Sequence, residues 1–208
     1  MFTPRFTITN PILKHVGVIE GAKEVIDYAV MVPAWEAKFQ EEAVVRTVHF
    51  GTRIEGNELN YSQAQRVLKG EEVIARERDV QEVINYRNVL EYIDRLGERF
   101  GLKGAGENAS YGEVWLKKIH ELTTEKILDS KNCGKYRTTR VVIKNSITGE
   151  VSFRPPLPLE VEIQIREFFD WLSSDTGKSV HPILRAGITH YELGRIHPFV
   201  DGNGRVAR

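Results

Sequence analysis

The sequence predicts a mainly α-helical bundle that carries one short β-hairpin. Three observations lead there. Apolar residues recur at three- and four-residue steps through most of the 208 residues. One stretch, 139–153, breaks that period with two β-prone runs around a glycine-bearing loop. The end of the chain, HPFVDGNGR, places two glycines around an asparagine and reads as a loop after the last full helix.

Taken in order, GAKEVIDYAVM has helical spacing in Val25, Ile26, Ala29 and Val30. Pro33 opens a second helical stretch as a first-turn proline. Trp35, Phe39, Val44, Val45 and Val48 are expected to face inward, and Gly56-Asn57 to end the helix. Ser62 is the expected N-cap of a short helix, SQAQRVLKG. The clearest amphipathic pattern follows, with Val80, Val83, Ile84, Tyr86, Leu90, Ile93 and Leu96 on one face. LKGAGENAS is a glycine-rich loop, after which Ser110 is expected to cap YGEVWLKKIHELTTEKIL. The hairpin strands are expected over Thr139–Ile143 and Val151–Phe153, and RPPLP ends the hairpin. LEVEIQIREFFDWLSS and VHPILRAGITHYELGRI read as the two closing helices.

Composition sets the class. Apolar residues make up 41% and charged residues 28%, as in ordinary globular proteins. Lys plus Arg and Asp plus Glu both count 29, so the net charge is zero and a general polyanion binder is not indicated. The lone Cys133 rules out an internal disulfide framework and suits a reducing compartment, so the expected location is the cytoplasm. The sequence has no apolar run near the ~18 residues of a membrane span, and no nucleic-acid partner is expected of this segment.

The chemistry gathers at the end. Gly202 and Gly204 let the backbone take positive φ and approach a ligand closely. A glycine-rich turn feeding a helix start points several N–H groups one way, which makes an anion site. Arg205 and Arg208 are three apart, share a helix face, and suit a polyphosphate. Asp201 at the edge of that nest matches the lone carboxylate Mg²⁺ takes beside bound phosphates. His197 is the one group here that changes protonation near neutral pH and can accept a hydroxyl proton. Together these point to phosphoryl or nucleotidyl transfer. The spacing is neither a Walker loop nor a dinucleotide fingerprint. His181, His190 and His197 are nine and seven apart, which does not suit a metal set on one helix face. His190 is expected to pack near the loop. His49 and His120 read as partner-satisfied or surface residues, and Trp35, Trp115 and Trp171 as packing.

HPFVDGNGRVAR resembles the signature of the Fic family, His-x-Phe-x-Asp/Glu-Gly-Asn-Gly-Arg-x-x-Arg, at every defining position. GKYRTTRVVI and FRPPLP resemble the family's flap hairpin and its exit, and HPILRAGITHYELGRIHPF the helix leading into the motif. The resemblance implies a Fic-type bundle and a protein adenylyltransferase using ATP and Mg²⁺. It implies His197 as the base acting on a Ser, Thr or Tyr hydroxyl of a target protein, and Asp201 as the metal ligand. Gly202, Asn203 and Gly204 would form the anion nest, Arg205 would neutralise the leaving phosphates, Arg208 would hold the γ-phosphate, and Phe199 would anchor the loop. Val141, Val142 and Ile143 would pair their strand edge with the target. Many members form homodimers that hide the site; no stretch here displays that.

RIEGN resembles the inhibitory pattern Ser/Thr-x-x-x-Glu-Gly/Asn, with Glu55 in place to pair Arg208. The position four before Glu55 is Gly51, not Ser or Thr. The resemblance divides the chain into an N-terminal helical region, 1–100, with the inhibitory helix at about 41–56, and a Fic core, 101–208. Because one helical turn is poorly supported alone, the core is expected to be cut short at its C-terminal end. Three readings stay open at this point: an autoinhibited protein AMP-transferase, another Fic-type transfer or AMP removal, and a regulatory module with an idle site in a longer chain. Gly204 argues against the phosphotransferase branch, which has lysine there.

Overall fold

The computed structural model describes residues 2–30, 32–99, 112–145 and 148–208. Nine helices and one hairpin are formed among them: α1 Asn10–Tyr28, α2 Pro33–Arg53, α3 Tyr61–Leu68, α4 Glu77–Arg99, α5 Glu113–Thr124, β1 Ile143–Lys144, β2 Val151–Phe153, α6 Pro158–Ser173, α7 Asp175–Ser179, α8 Pro182–Ile196 and α9 Asn203–Ala207. The mainly helical class with one antiparallel hairpin is therefore as the sequence indicates.

Two apolar clusters organise the bundle. Val48, Leu59, Ala64, Val67, Val83 and Tyr86 bind α2, α3 and α4 together. Leu116, Val161, Ile165, Phe168, Trp171, Leu172, Leu193, Ile196 and Phe199 join α5, α6 and α8 to the loop before α9. The N-terminal segment reaches the second cluster, where Phe2 stacks edge-on against Phe168 and Trp171, both at 5.4 Å.

Several boundaries differ from expectation. α1 begins at Asn10, because Thr9 caps it and Pro11 pre-sets its first turn. The apolar residues of its last turns stay exposed, Val25 and Ile26 among them, as do Trp35 and Phe39 on the first half of α2, and Val44 is only partly covered. The inward face of α2 is its C-terminal half alone. α3 is capped by Asn60 rather than Ser62: Asn60 Oδ1 accepts from Gln63 N at 2.9 Å, while Gln63 Oε1 accepts from Asn60 N at 3.0 Å. Ser110 lies outside the described residues, and α5 starts after Gly112. α5 stops early, at Thr124. Asn85 of α4, wholly buried, donates to the carbonyls of Thr123 and Glu125 at the helix end. The first hairpin strand is shorter and later than Thr139–Ile143, because the Thr139 carbonyl is taken by the Arg137 guanidinium at 3.2 Å. Val141 and Val142 thus precede β1, and Ile143 opposes Phe153.

Candidate active site

The loop 197–202 hangs between the end of α8 and the start of α9. His197 caps α8 with φ 51 and ψ 60, a left-handed conformation that is costly outside glycine. Buried Arg137 holds it there. Its Nε donates to the His197 carbonyl at 2.7 Å and its Nη2 to those of Pro156 at 2.6 Å and Ile196 at 3.3 Å. One guanidinium thus ties the base of the hairpin to the start of the loop. Further on, Phe199 is fully buried. The Asn203 side chain closes the loop on itself, accepting from Phe199 N at 2.8 Å and donating to Phe199 O at 2.9 Å. The Asn203 amide is therefore a loop clamp turned inward, and only its backbone can line a nest.

His120 of α5 is one of the residues that sequence reading missed. Its ring stacks on Phe199 with centroids 3.7 Å apart and 5° between planes. Nδ1 accepts from Gly134 N at 2.9 Å, so Nε2 carries the proton and donates to the Asp201 carbonyl at 3.0 Å. Burial pushes the imidazole's pKa down to about 4, which keeps it neutral. It is partner-satisfied, as expected, but its partners belong to the site. A histidine in an apolar helical pattern carries no local signal of this.

His197 is half-buried, and burial together with the nearby Arg137 lowers its pKa. Its Nδ1 faces the Gly194 carbonyl at 3.3 Å; a carbonyl only accepts, so Nδ1 bears the proton and Nε2 keeps its lone pair. Asp201 is half-exposed, accepts from Gly202 N through Oδ1, and lies 3.5 Å from exposed Arg78 through Oδ2. Gly202 takes φ +79, and a Cβ there would sit 2.9 Å from Thr124 Cγ2.

The two motif arginines are held differently. Arg205 is buried and pairs with the equally buried Glu82 of α4 at 3.0 Å. Glu82 is steadied by Asn57 Nδ2 at 3.1 Å and by Arg78 Nε at 3.2 Å. Arg205 Nε has no hydrogen-bond partner among the described residues. Arg208, at the C-terminal end of α9, donates through Nη2 to Glu55 Oε1 at 2.8 Å and to the Gly51 carbonyl at 3.0 Å. Glu55 sits in the turn just past α2, where Glu55 N bonds Thr52 O and Gly56 takes φ +90. A Cβ on Gly204 would run into the Glu55 carboxylate. That carboxylate therefore already lies over the glycine turn where an anion would enter.

The hairpin residues lie apart from this cluster. Val142, just ahead of β1, and Val151 and Phe153 of β2 are each about 40% exposed, so their side chains meet solvent. His190 is exposed on α8 and, with Arg205 and Arg208, lines a cavity of about 840 Å³ between α4, α5 and α8. Among the described residues no group of three His, Cys, Asp or Glu side chains is placed to hold a metal. Nor is any described helix long and apolar enough to cross a membrane.

The Fic/DOC family model matches residues 111–208. The chain is 29% identical over 174 residues to the protein adenylyltransferase Fic of Drosophila grimshawi, covering 81% of this chain and 32% of that one. It is 31% identical over 183 residues to protein adenylyltransferase fic-1 of Caenorhabditis briggsae, covering 82% and 31%. A Fic family protein from Desulfovibrio desulfuricans has a similar structure, with a TM-score of 0.74 at 28% identity over 99% of this chain and 57% of that one. The chain thus spans about a third of the length of the curated relatives it matches.

Proposed function

Because this chain belongs to the Fic/DOC family through residues 111–208, we propose that it is a protein adenylyltransferase held in check by Glu55. It moves AMP from ATP to a hydroxyl on a target protein. The observation that carries the reading is one convergence. A histidine with its Nε2 lone pair free, a carboxylate, a glycine turn and two guanidiniums share the loop and the short helix α9 that follows it, and Glu55 covers that turn.

His197 Nε2 takes the proton of the target's Ser, Thr or Tyr hydroxyl as its oxygen attacks the α-phosphorus. The bond from that phosphorus to the β-phosphate oxygen breaks, and pyrophosphate leaves. Its lowered pKa keeps His197 neutral, and so basic, at neutral pH. The backbone of Gly202, Asn203 and Gly204 lines the anion nest. Arg205 is fixed by Glu82, and its unpartnered Nε is a donor in want of an acceptor, which a phosphate oxygen supplies. Asp201 suits Mg²⁺, which takes one or two carboxylates beside substrate phosphates; Arg78 is exposed at 3.5 Å and can swing aside. When bound, Mg²⁺ offsets the charge of the phosphates. Val141 and Val142, just ahead of β1, and Ile143 at its start take the target segment by strand addition.

Glu55 is the brake. While it pairs with Arg208, that guanidinium cannot hold the γ-phosphate, and the carboxylate repels the phosphates from the Gly204 turn. A charge-assisted hydrogen bond is worth about 1.5–3 kcal/mol, and 1.4 kcal/mol is tenfold. Glu55→Gly is therefore expected to raise transfer of label from α-labelled ATP by about tenfold or more. Equal labelling in wild type and Glu55→Gly would remove the brake from this account. The protein target and any homodimer are matters for the same assay run with candidate substrates and across protein concentrations.

A further inference from the structure

The chain has no side chain at position 51, where the inhibitory pattern has a hydroxyl, and the space is taken. A Cβ on Gly51 would stand 2.8 Å from both Cζ and Oη of Tyr86. Tyr86 belongs to α4, is 8% exposed, and its ring packs in the α2–α4 cluster. Its hydroxyl lies against Gly51, it lines one cavity with Arg208, and the guanidinium's charge opposes the rise that burial causes in the phenol's pKa. The Glu55 carboxylate at 2.8 Å and the Gly51 carbonyl at 3.0 Å therefore meet on one guanidinium, with the Tyr86 phenol packed against that same glycine.

We propose that Tyr86 is a positioning residue of the inhibited state: its phenol, reaching across the bare backbone of Gly51, fixes Arg208 in the rotamer that faces Glu55. The inference rests on reading Glu55 as the brake. An arginine side chain has many rotamers, and holding it in one costs entropy. The Glu55–Arg208 pair is partly exposed, with side chains 34% and 18% accessible, so an ion pair alone would be weakened by water. A donor–acceptor contact to a rigid, buried phenol supplies the fixation that water would otherwise erode. Gly51 and Tyr86 are thus one device. The glycine makes room for the ring and leaves its own carbonyl open to Arg208, and the ring returns a hydroxyl to the guanidinium.

The test compares wild type, Tyr86→Phe, Glu55→Gly and the double variant, by label incorporated from α-labelled ATP and by melting temperature. Tyr86→Phe keeps the ring and removes only the oxygen. It is expected to raise basal transfer about 3- to 10-fold, less than Glu55→Gly does. In the Glu55→Gly background the same change is expected to alter transfer less than about twofold, because no inhibitory rotamer is left to hold. If Tyr86→Phe leaves the basal rate unchanged while Glu55→Gly raises it, the role of Tyr86 is overturned and the brake stands. An equal factor in both backgrounds marks general packing and also overturns it. No rise in Glu55→Gly removes the brake and Tyr86's role with it. Should Tyr86→Phe not fold, Gly51→Ala, whose Cβ pushes the ring off Arg208, is expected to raise transfer likewise; no rise there overturns the proposal.

Discussion

The segment 197–208 and the hairpin 143–153 are tied to one residue, Arg137, yet they are built on opposite terms. In the loop the backbone is pinned from all sides: Asn203 closes it, His120 holds the Asp201 carbonyl, Arg137 holds the His197 carbonyl, and Phe199 is fully buried. In the hairpin β1 and β2 amount to a few residues, with Val151 and Phe153 open to solvent, as is Val142 just ahead of β1. The contrast separates two tasks. Positioning groups on a reacting phosphorus requires geometry set in advance. Recognising a protein segment by strand addition requires an unpaired edge.

The contrast is broken most severely at its chemical end. In the Glu55→Gly background, His197→Ala is expected to lower AMP transfer by about 10²–10⁴-fold, the range for losing a general base, while ATP binding by calorimetry is retained. Next comes Arg137→Met, which strips donors from the carbonyls of His197, Ile196, Pro156 and Thr139. Each unpaired buried group costs about 1–3 kcal/mol. Urea unfolding is expected to register a loss of about 3 kcal/mol, and a fall of less than 1 kcal/mol would mean that this guanidinium does not hold loop and hairpin together.

His120 gives a smaller effect with a pH signature. Its pKa falls from an ordinary 6.5 unfolded to about 4 folded. Between those values the unfolded chain binds the extra proton, so stability rises with pH through that window and is fully present above 6.5. Lowering pH from 7.5 to 5 is expected to cost about 2 kcal/mol through this group, at 1.36 kcal/mol per unit. In His120→Gln that part of the pH dependence should vanish. The smallest effect falls on the hairpin: Val151→Ala should change stability by no more than about 0.5 kcal/mol. It should spare self-modification and lower only the transfer to a target protein.

The same contrast explains what the sequence made legible. The glycine turn, its flanking His197 and Asp201 and the two arginines are contiguous, so local chemistry was enough to name them. Glu55 needed a pattern from elsewhere in the chain. Glu82, Tyr86, His120 and Arg137 were not legible as site residues, since each reaches the loop only through tertiary packing. Tyr86 and His120 sit at ordinary core spacings, and Glu82 looks like a solvated helix charge until Arg205 and Asn57 meet it. The inward face assigned to Trp35 and Phe39 erred for a related reason: periodicity says which residues share a face, not whether anything covers it.

The central claim is that this loop transfers the α-phosphoryl group with its nucleoside, and not the terminal phosphate. Parallel reactions of Glu55→Gly with α-labelled and γ-labelled ATP test it directly. The account predicts stable protein label from the α position and none from the γ position; label retained from γ-labelled ATP would contradict it.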